Sequence, residues 1–390
     1  MGDIYPVVKV AAVQAASLFL DREGSTEKAC ALIREAGHNG AQVIGFPEGF
    51  IPAHPIWYHH HAATGALANR LAVELFKNAV EIPGPEIDAL CAAAREAGAY
   101  VVIGVCEKLP RTLGTMFNSQ VFIGPDGSYM GKHQKIMPTV GERLVHTGGF
   151  GDTLHAFATS FGPMSGLICG ENSNPLAVFA MTAEGSRVHV MSWPNHFPTS
   201  GDPMRNRVSV DSQAFAQMSK AFVVSACGTV DEDVIRKLEP APEAERFLRS
   251  ADCCGGSVIV APNSRIIAGP MGAEEGILYA DCNLDVGINM KLRHDFAGHY
   301  NRPDIFRLQV NRGAPHIYTV VGVEEPQALG GSVPAPPLPA REPPSALVSP
   351  PRHLPAPAQA SPPRRRRQAA RKAAKRSKNG KGRRSDRHLP

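Results

Sequence analysis

Residues 165–175 read SGLICGENSNP: an apolar run leads into Cys169, small and polar residues follow, and Pro175 opens a segment with helical spacing. A thiol at that junction faces a helix N-terminus, where unpaired backbone N–H groups favour an anion. A free cysteine with a pKa near ~8.5 is only a few per cent thiolate at neutral pH, so the position suits an activated nucleophile. A small buried cysteine that only packs fits the same local sequence. Two other stretches bear on the choice. IGFPEGF (44–50) puts Glu48 at the C-terminal end of a strand, and GKHQKIMPTVGERL (131–144) brings Lys135 and Glu142 near one another. Taken singly, these are a solvated loop carboxylate and a surface lysine. Open α/β sheets gather functional groups at the carboxyl ends of their strands. A carboxylate, an ammonium and a thiol at such ends form a coherent set for cysteine-based hydrolysis.

The elements that must position them alternate. Strands are expected at 7–14, 41–48, 99–107, 119–127 (closing in a Pro-Asp-Gly turn), 165–169, 188–194 and 222–228, with strands or hairpins at 256–269 and 276–284. Amphipathic helices are expected at 25–37, 84–98, 174–185 and 211–222, the second with Pro85 in its first turn and Gly98 just past its end. Near-continuous apolar strands alternating with helices predict a layered α/β domain.

Composition divides the chain near Glu325. Residues 330–363 hold 12 prolines, and residues 341–390 hold 15 Lys and Arg against two acids. Residues 1–340 carry 26 basic and 34 acidic side chains, so the body is acidic and the basic pI belongs to the tail. The expected domains are therefore 1–325, catalytic, and 326–390, a Pro-rich and then strongly basic disordered tail. Such a tail permits nonspecific polyanion contact, with a solubilising or regulatory extension as the plainer role. The eight cysteines (Cys30, Cys91, Cys106, Cys169, Cys227, Cys253, Cys254 and Cys282) lack framework spacing and read as reduced thiols in a cytoplasmic protein. Neither a signal peptide, a membrane span nor a structural zinc site is expected.

FPEGF, KIMPT…ER and GLICGEN, in that order, resemble the three catalytic motifs of the nitrilase superfamily, and DFAGHYNRPDIF (295–306) resembles a segment of its nitrilase branch. The resemblance runs from about residue 5 to 322. It implies a four-layer α-β-β-α sandwich that assembles into homo-oligomers, dimers or spirals, and that needs no cofactor and no metal. It also implies roles: Glu48 as general base, Lys135 as electrophilic ammonium, Cys169 as nucleophile, and Glu142 as the glutamate that holds lysine and substrate. The implied reaction is hydrolysis of a small-molecule nitrile to the acid and ammonia, with an amidase or carbamoylase as the alternative. Gly170 stands where the family often has an aromatic residue. It keeps its N–H available and gives the pocket a different shape. Trp57, in the loop leaving Glu48, and Trp193 with His196, after another strand end, are candidate substrate contacts. His59, His60 and His61 are consecutive and diverge on a helix, so they are not expected to chelate jointly. His299, Tyr300, Arg302 and Asp304 are expected to be structural or at a subunit contact.

Overall fold

Val8, Val10 and Ala12 of strand β1 (Val7–Gln14) point into one buried cluster, and Ala11 and Val13 into another. A strand buried on both faces needs a cover on each side, and that requirement sets the layers. The computed structural model describes residues 2–197 and 202–313. After β1 the chain runs through α1 (Arg22–His38), β2 (Val43–Gly45), α2 (Ala66–Asn78), α3 (Pro85–Ala97), β3 (Tyr100–Lys108), β4 (Met116–Ile123) and β5 (Tyr129–Gln134). It continues with β6 (Met164–Ile168), α4 (Pro175–Ala183), β7 (Val188–Trp193), α5 (Met204–Ser219), β8 (Phe222–Cys227), α6 (Glu232–Leu238) and α7 (Pro242–Leu248). It closes with β9 (Val258–Val260), β10 (Ile266–Ala268), β11 (Gly276–Asn283) and α8 (Asp285–Arg293).

One sheet has the order β11-β1-β2-β3-β4-β5 and the other β10-β9-β8-β7-β6. In each, a parallel core (β1-β2-β3 and β6-β7-β8) is extended by antiparallel strands. The sheets face one another: Val10, Val43, Val102 and Phe122 of the first share a cluster with Val188, Val190, Val224 and Ile259 of the second. α1 and α3 cover the outside of the first sheet, and α4 and α5 the outside of the second. This is the four-layer α-β-β-α sandwich. Among the described residues no helix is long and apolar enough to cross a membrane. The expected boundary near Glu325 and the basic tail lie outside the described residues.

Several elements differ from the sequence reading. β2 is three residues rather than eight. Phe46 N–H still bonds to Val102, but Pro47 has no N–H, and Glu48 N–H crosses to the Trp193 carbonyl at 3.0 Å. The strand expected from 119 starts three residues earlier, at Met116, and ends at Ile123 in the expected Pro-Asp-Gly turn over 124–127. β5, α2, α6, α7 and α8 lie in stretches for which no element was expected. β9 and β10 form a hairpin, whereas β11 leaves it to pair with β1 in the other sheet. All eight cysteines are free and buried. Tyr300, Arg302 and Asp304 lie on the surface, where the Arg302 guanidinium pairs with Asp304 through two hydrogen bonds.

Gly104 of β3 shows how the sheet shapes the site. A Cβ there would collide with the Pro47 carbonyl and meet Gly49 N at 2.6 Å and Glu48 Cα at 2.9 Å. Gly104→Ala therefore pushes the Glu48 turn away. Overpacking of this kind costs about 1–3 kcal/mol. Denaturant melts should show that loss, and hydrolytic activity should fall by more than the folded fraction accounts for.

Candidate active site

Glu48 leaves the end of β2, Lys135 follows β5, Cys169 follows β6, and Trp193 ends β7. Their side chains line one cavity of about 520 Å³, together with His54, His59, Thr139, Glu142, Gly170 and His196. Lys135 is only 1 % exposed. Its ammonium donates to Glu48 Oε1 at 2.6 Å and to Glu142 Oε2 at 2.7 Å. The Asn118 side-chain amide on β4 donates to Oε1 of both glutamates at 2.7 Å.

The two carboxylates differ in what else they accept. Glu142, on the short turn Val140–Leu144, takes the Thr139 N–H on Oε2 (2.9 Å) and His146 Nδ1–H on Oε1 (3.1 Å). Burial opposes its charge, but Lys135 and the His146 hydrogen bond win and hold it well below the usual carboxylate range. Glu48 Oε2, by contrast, has no hydrogen-bond partner among the described residues. Burial, reinforced by the Glu142 charge, raises Glu48 to about 7 against the pull of Lys135 and Asn118. Burial also works against the Lys135 ammonium, yet its two carboxylates push it well above the ordinary lysine value. Two like groups driven apart in acidity by their surroundings are the mark of divided acid–base roles.

Cys169 departs from the sequence expectation in one respect. It does not face the N-terminus of α4: a short turn, Cys169–Ser173, intervenes, and α4 starts at Pro175 behind an Asn174 cap. Burial, and then the Glu48 carboxylate, push the thiol well above its ordinary value, against Lys135 and a hydrogen bond from Gly170 N–H. The resting group is the thiol. Its backbone is strained, with φ of +52°, a conformation that costs a side-chain-bearing residue about 1–3 kcal/mol. A buried network holds it there. Asn172 donates to the Leu167 and Cys169 carbonyls, and the neutral His189 ring bridges Asn172 Oδ1 (2.9 Å) and Ser165 Oγ (2.7 Å). Glu171 ties the two catalytic segments together: its carboxylate accepts the N–H groups of Ile136 (2.6 Å) and Ile168 (2.9 Å), next to Lys135 and Cys169, and His133 Nε2–H (2.9 Å).

Among the candidate substrate contacts, Trp193, His196 and Gly170 line the cavity, and Trp57 does not. Trp57 is fully buried, edge-on to Phe19. Both His196 nitrogens are engaged, Nδ1 with Asn195 Oδ1 (3.1 Å) and Nε2 with His60 Nε2 (3.0 Å), so the ring offers surface rather than a free hydrogen bond. At Gly170 a Cβ would touch only Thr139 Oγ1, at 3.8 Å, so the cavity is open there. Glu48, His54 and Glu142 bring three potential ligand atoms within 4.8 Å of one another, but the Lys135 cation is bonded to both carboxylates of that group.

A family model described as carbon-nitrogen hydrolase matches residues 9–291. The chain belongs to the carbon–nitrogen hydrolase family. It is thus a hydrolase acting on carbon–nitrogen bonds and a member of the nitrilase superfamily. It is 36% identical over 316 residues to Nitrilase 2 of an unknown prokaryotic organism, a match covering 80% of this chain and 95% of the relative. It is 37% identical over 309 residues to an aliphatic nitrilase of Sinorhizobium fredii (strain HH103), covering 78% and 95%. Its fold is similar to the crystal structure of the C. elegans NitFhit protein, with a TM-score of 0.62 at 16% identity over 81% of this chain and 70% of that one.

In this carbon–nitrogen hydrolase the sequence reading overlooked Asn118, His54, His146 and Glu171. Glu171 alone carried a visible signal, being inside the quoted GLICGEN. Asn118 is the most consequential, because one amide bridges both carboxylates. Asn118→Ala removes two hydrogen bonds to buried charged groups. The expected loss of stability is about 1–3 kcal/mol, read from urea melts. Both glutamates should also become harder to ionise, because a donor that favours their charged form is gone.

Proposed function

We propose that this enzyme hydrolyses a nitrile to the carboxylic acid and ammonia, without a cofactor, through covalent intermediates on Cys169. The observation that carries the reading is the convergence of Cys169, Lys135 and Glu48 on one cavity, with Glu48 balanced near neutrality and one of its oxygens unengaged. The relatives' printed names, Nitrilase 2 and aliphatic nitrilase, support the choice of nitrile.

Because the resting sulfur is a thiol, it must lose its proton as it attacks. Glu48 takes that proton, the sulfur adds to the nitrile carbon, and negative charge develops on nitrogen. Lys135 and the Gly170 N–H stabilise that charge, as donors do in an oxyanion hole, where one donor is worth ~3 kcal/mol. Glu48 passes the thiol proton on to that nitrogen, which gives a neutral thioimidate and leaves Glu48 ionised again. Water adds under guidance from Glu48, and the proton Glu48 returns lets ammonia leave. A second water cleaves the acyl-thioester, releasing the acid and restoring the thiol. If the tetrahedral intermediate expels sulfur before ammonia, the product is the amide. Glu142 stays ionised throughout and keeps Lys135 charged and in place.

The enzyme is further proposed to work as a homo-oligomer, as the resemblance implies. Exposed Leu176, Ile305 and Phe306 support this by leaving apolar surface for a second copy.

Ammonia release measured over aliphatic, aromatic and arylacetic nitriles and cyanide, each beside its amide, tests the reaction and assigns the substrate class. Turnover of nitriles supports the reading; turnover of amides alone replaces it with the amidase. Cys169→Ala should reduce ammonia release to background while its melting curve stays cooperative, and retained release would defeat the assignment. Glu48 must be ionised to accept the thiol proton, so kcat/KM should rise with pH through about 7. A profile flat between about pH 5 and 9 would contradict that role.

A further inference from the structure

The last step of the proposed reaction needs a water molecule aimed at the acyl carbon, and Glu48 provides one contact to it. His54 is placed to provide another. The loop after Glu48 folds back on itself, so that a Cβ at Gly49 would lie 3.2 Å from the His54 backbone. This return sets the imidazole against the glutamate, with Nδ1 3.7 Å from Glu48 Oε1. The separation is too long for a hydrogen bond, and Nδ1 is buried with no partner among the described residues. His54 nonetheless lines the cavity with Glu48, Lys135 and Cys169.

The other buried histidines are different. His133 bonds Glu171, His146 bonds Glu142, His189 bonds Ser165 and Asn172, and His196 bonds Asn195 and His60. Each has a structural task that explains its burial. His54 alone among them faces the reacting groups with a ring nitrogen unspent.

Resting on the cysteine-intermediate reading above, we propose that His54 is a further catalytic residue, whose Nδ1 accepts one hydrogen of the hydrolytic water while Glu48 Oε2 accepts the other. The water oxygen is then aimed at the acyl carbon. Burial, partly opposed by the Glu142 charge, holds the imidazole near 3, so it is neutral at working pH and orients the water without taking its proton. In the step itself the C–O bond forms as Glu48 receives the water proton. The tetrahedral intermediate then breaks its C–S bond, and the departing thiolate recovers that proton from Glu48. His54 begins and ends the step neutral.

The test uses the full-length protein and a nitrile or amide that the wild type turns over. His54→Phe keeps a ring without a nitrogen, and His54→Gln keeps a polar partner. Steady-state kcat is measured alongside intact-mass spectrometry of rapidly quenched enzyme. In His54→Phe, kcat should fall about tenfold, the worth of one hydrogen bond near the top of the usual range, and an adduct on Cys169 should occupy most of the protein. In His54→Gln part of the rate should return and the adduct should shrink. A His54→Phe kcat within about twofold of wild type overturns the proposal, because a water-holding contact worth ~1 kcal/mol would be felt. So does a fall in kcat with the sulfur unmodified, which would place His54 in holding Glu48 for the first step. If His54→Phe does not fold, His54→Gln decides: a wild-type rate with no adduct likewise overturns it. A wild type silent on every nitrile and amide is a different result, defeating the proposed function itself.

Discussion

The Lys135 ammonium lies within 2.7 Å of two carboxylates in a site nearly closed to water, and each of the three charges is tolerable there only beside the others. Burying a lone charge is far more costly than burying a bonded set, and removing one member of such a set typically costs ~3–5 kcal/mol. The set is also asymmetric. Glu142 accepts four donors over its two oxygens, whereas Glu48 accepts two on one oxygen and none on the other. That difference in donors, more than any difference in burial, separates a permanently ionised anchor from a group that can exchange a proton near neutral pH.

The fold makes the arrangement available by placing strand ends from two sheets around one cavity. β2 and β5 of the first sheet deliver Glu48 and Lys135, and β6 of the second delivers Cys169. Two polar links cross between these segments. The Glu48 N–H reaches the Trp193 carbonyl, and Glu171 holds the backbone on either side of the catalytic pair. The left-handed backbone of Cys169 is strain stored at the site and offset by the Asn172–His189–Ser165 network. Positioning here comes from the sheets, and acidity from what each side chain accepts.

Much of this was legible in the sequence. Period and punctuation located β1, β3, β6, β7, β8 and α3 to within two residues at each end, because both faces of those strands are apolar and Gly98 closes the helix. Glu48, Lys135 and Cys169 stood out because strand ends are where polar side chains can converge, and the resemblance to the nitrilase motifs supplied Glu142. The remainder depends on tertiary placement. Asn118 lies inside a strand, and nothing local marks it as the bridge between residues 70 and 24 positions away. His54 lies five residues before the run His59–His61, and only the folding of the loop brings it against Glu48. Cys169 was expected to gain acidity from a helix N-terminus, but the turn before α4 leaves it only the Gly170 N–H, and burial dominates. Trp57 was expected at the substrate and packs instead in a buried cluster with Phe19 and Leu71, since a large apolar ring gains more from a closed core. The polar interiors of β4 and β5 are easily misread for the same reason: the partners of Ser119, Gln120 and His133 lie far away along the chain.

The central claim is that Glu48, and not Glu142, changes protonation near neutral pH. Infrared difference titration tests it most directly, following the C=O stretch of buried protonated carboxyl groups in the wild type and in Glu48→Gln and Glu142→Gln. The account predicts a band that disappears with an apparent pKa of about 7 as the pH rises, absent from Glu48→Gln and present, at lower pH, in Glu142→Gln. A wild type without that band, or a band that survives in Glu48→Gln, would contradict it.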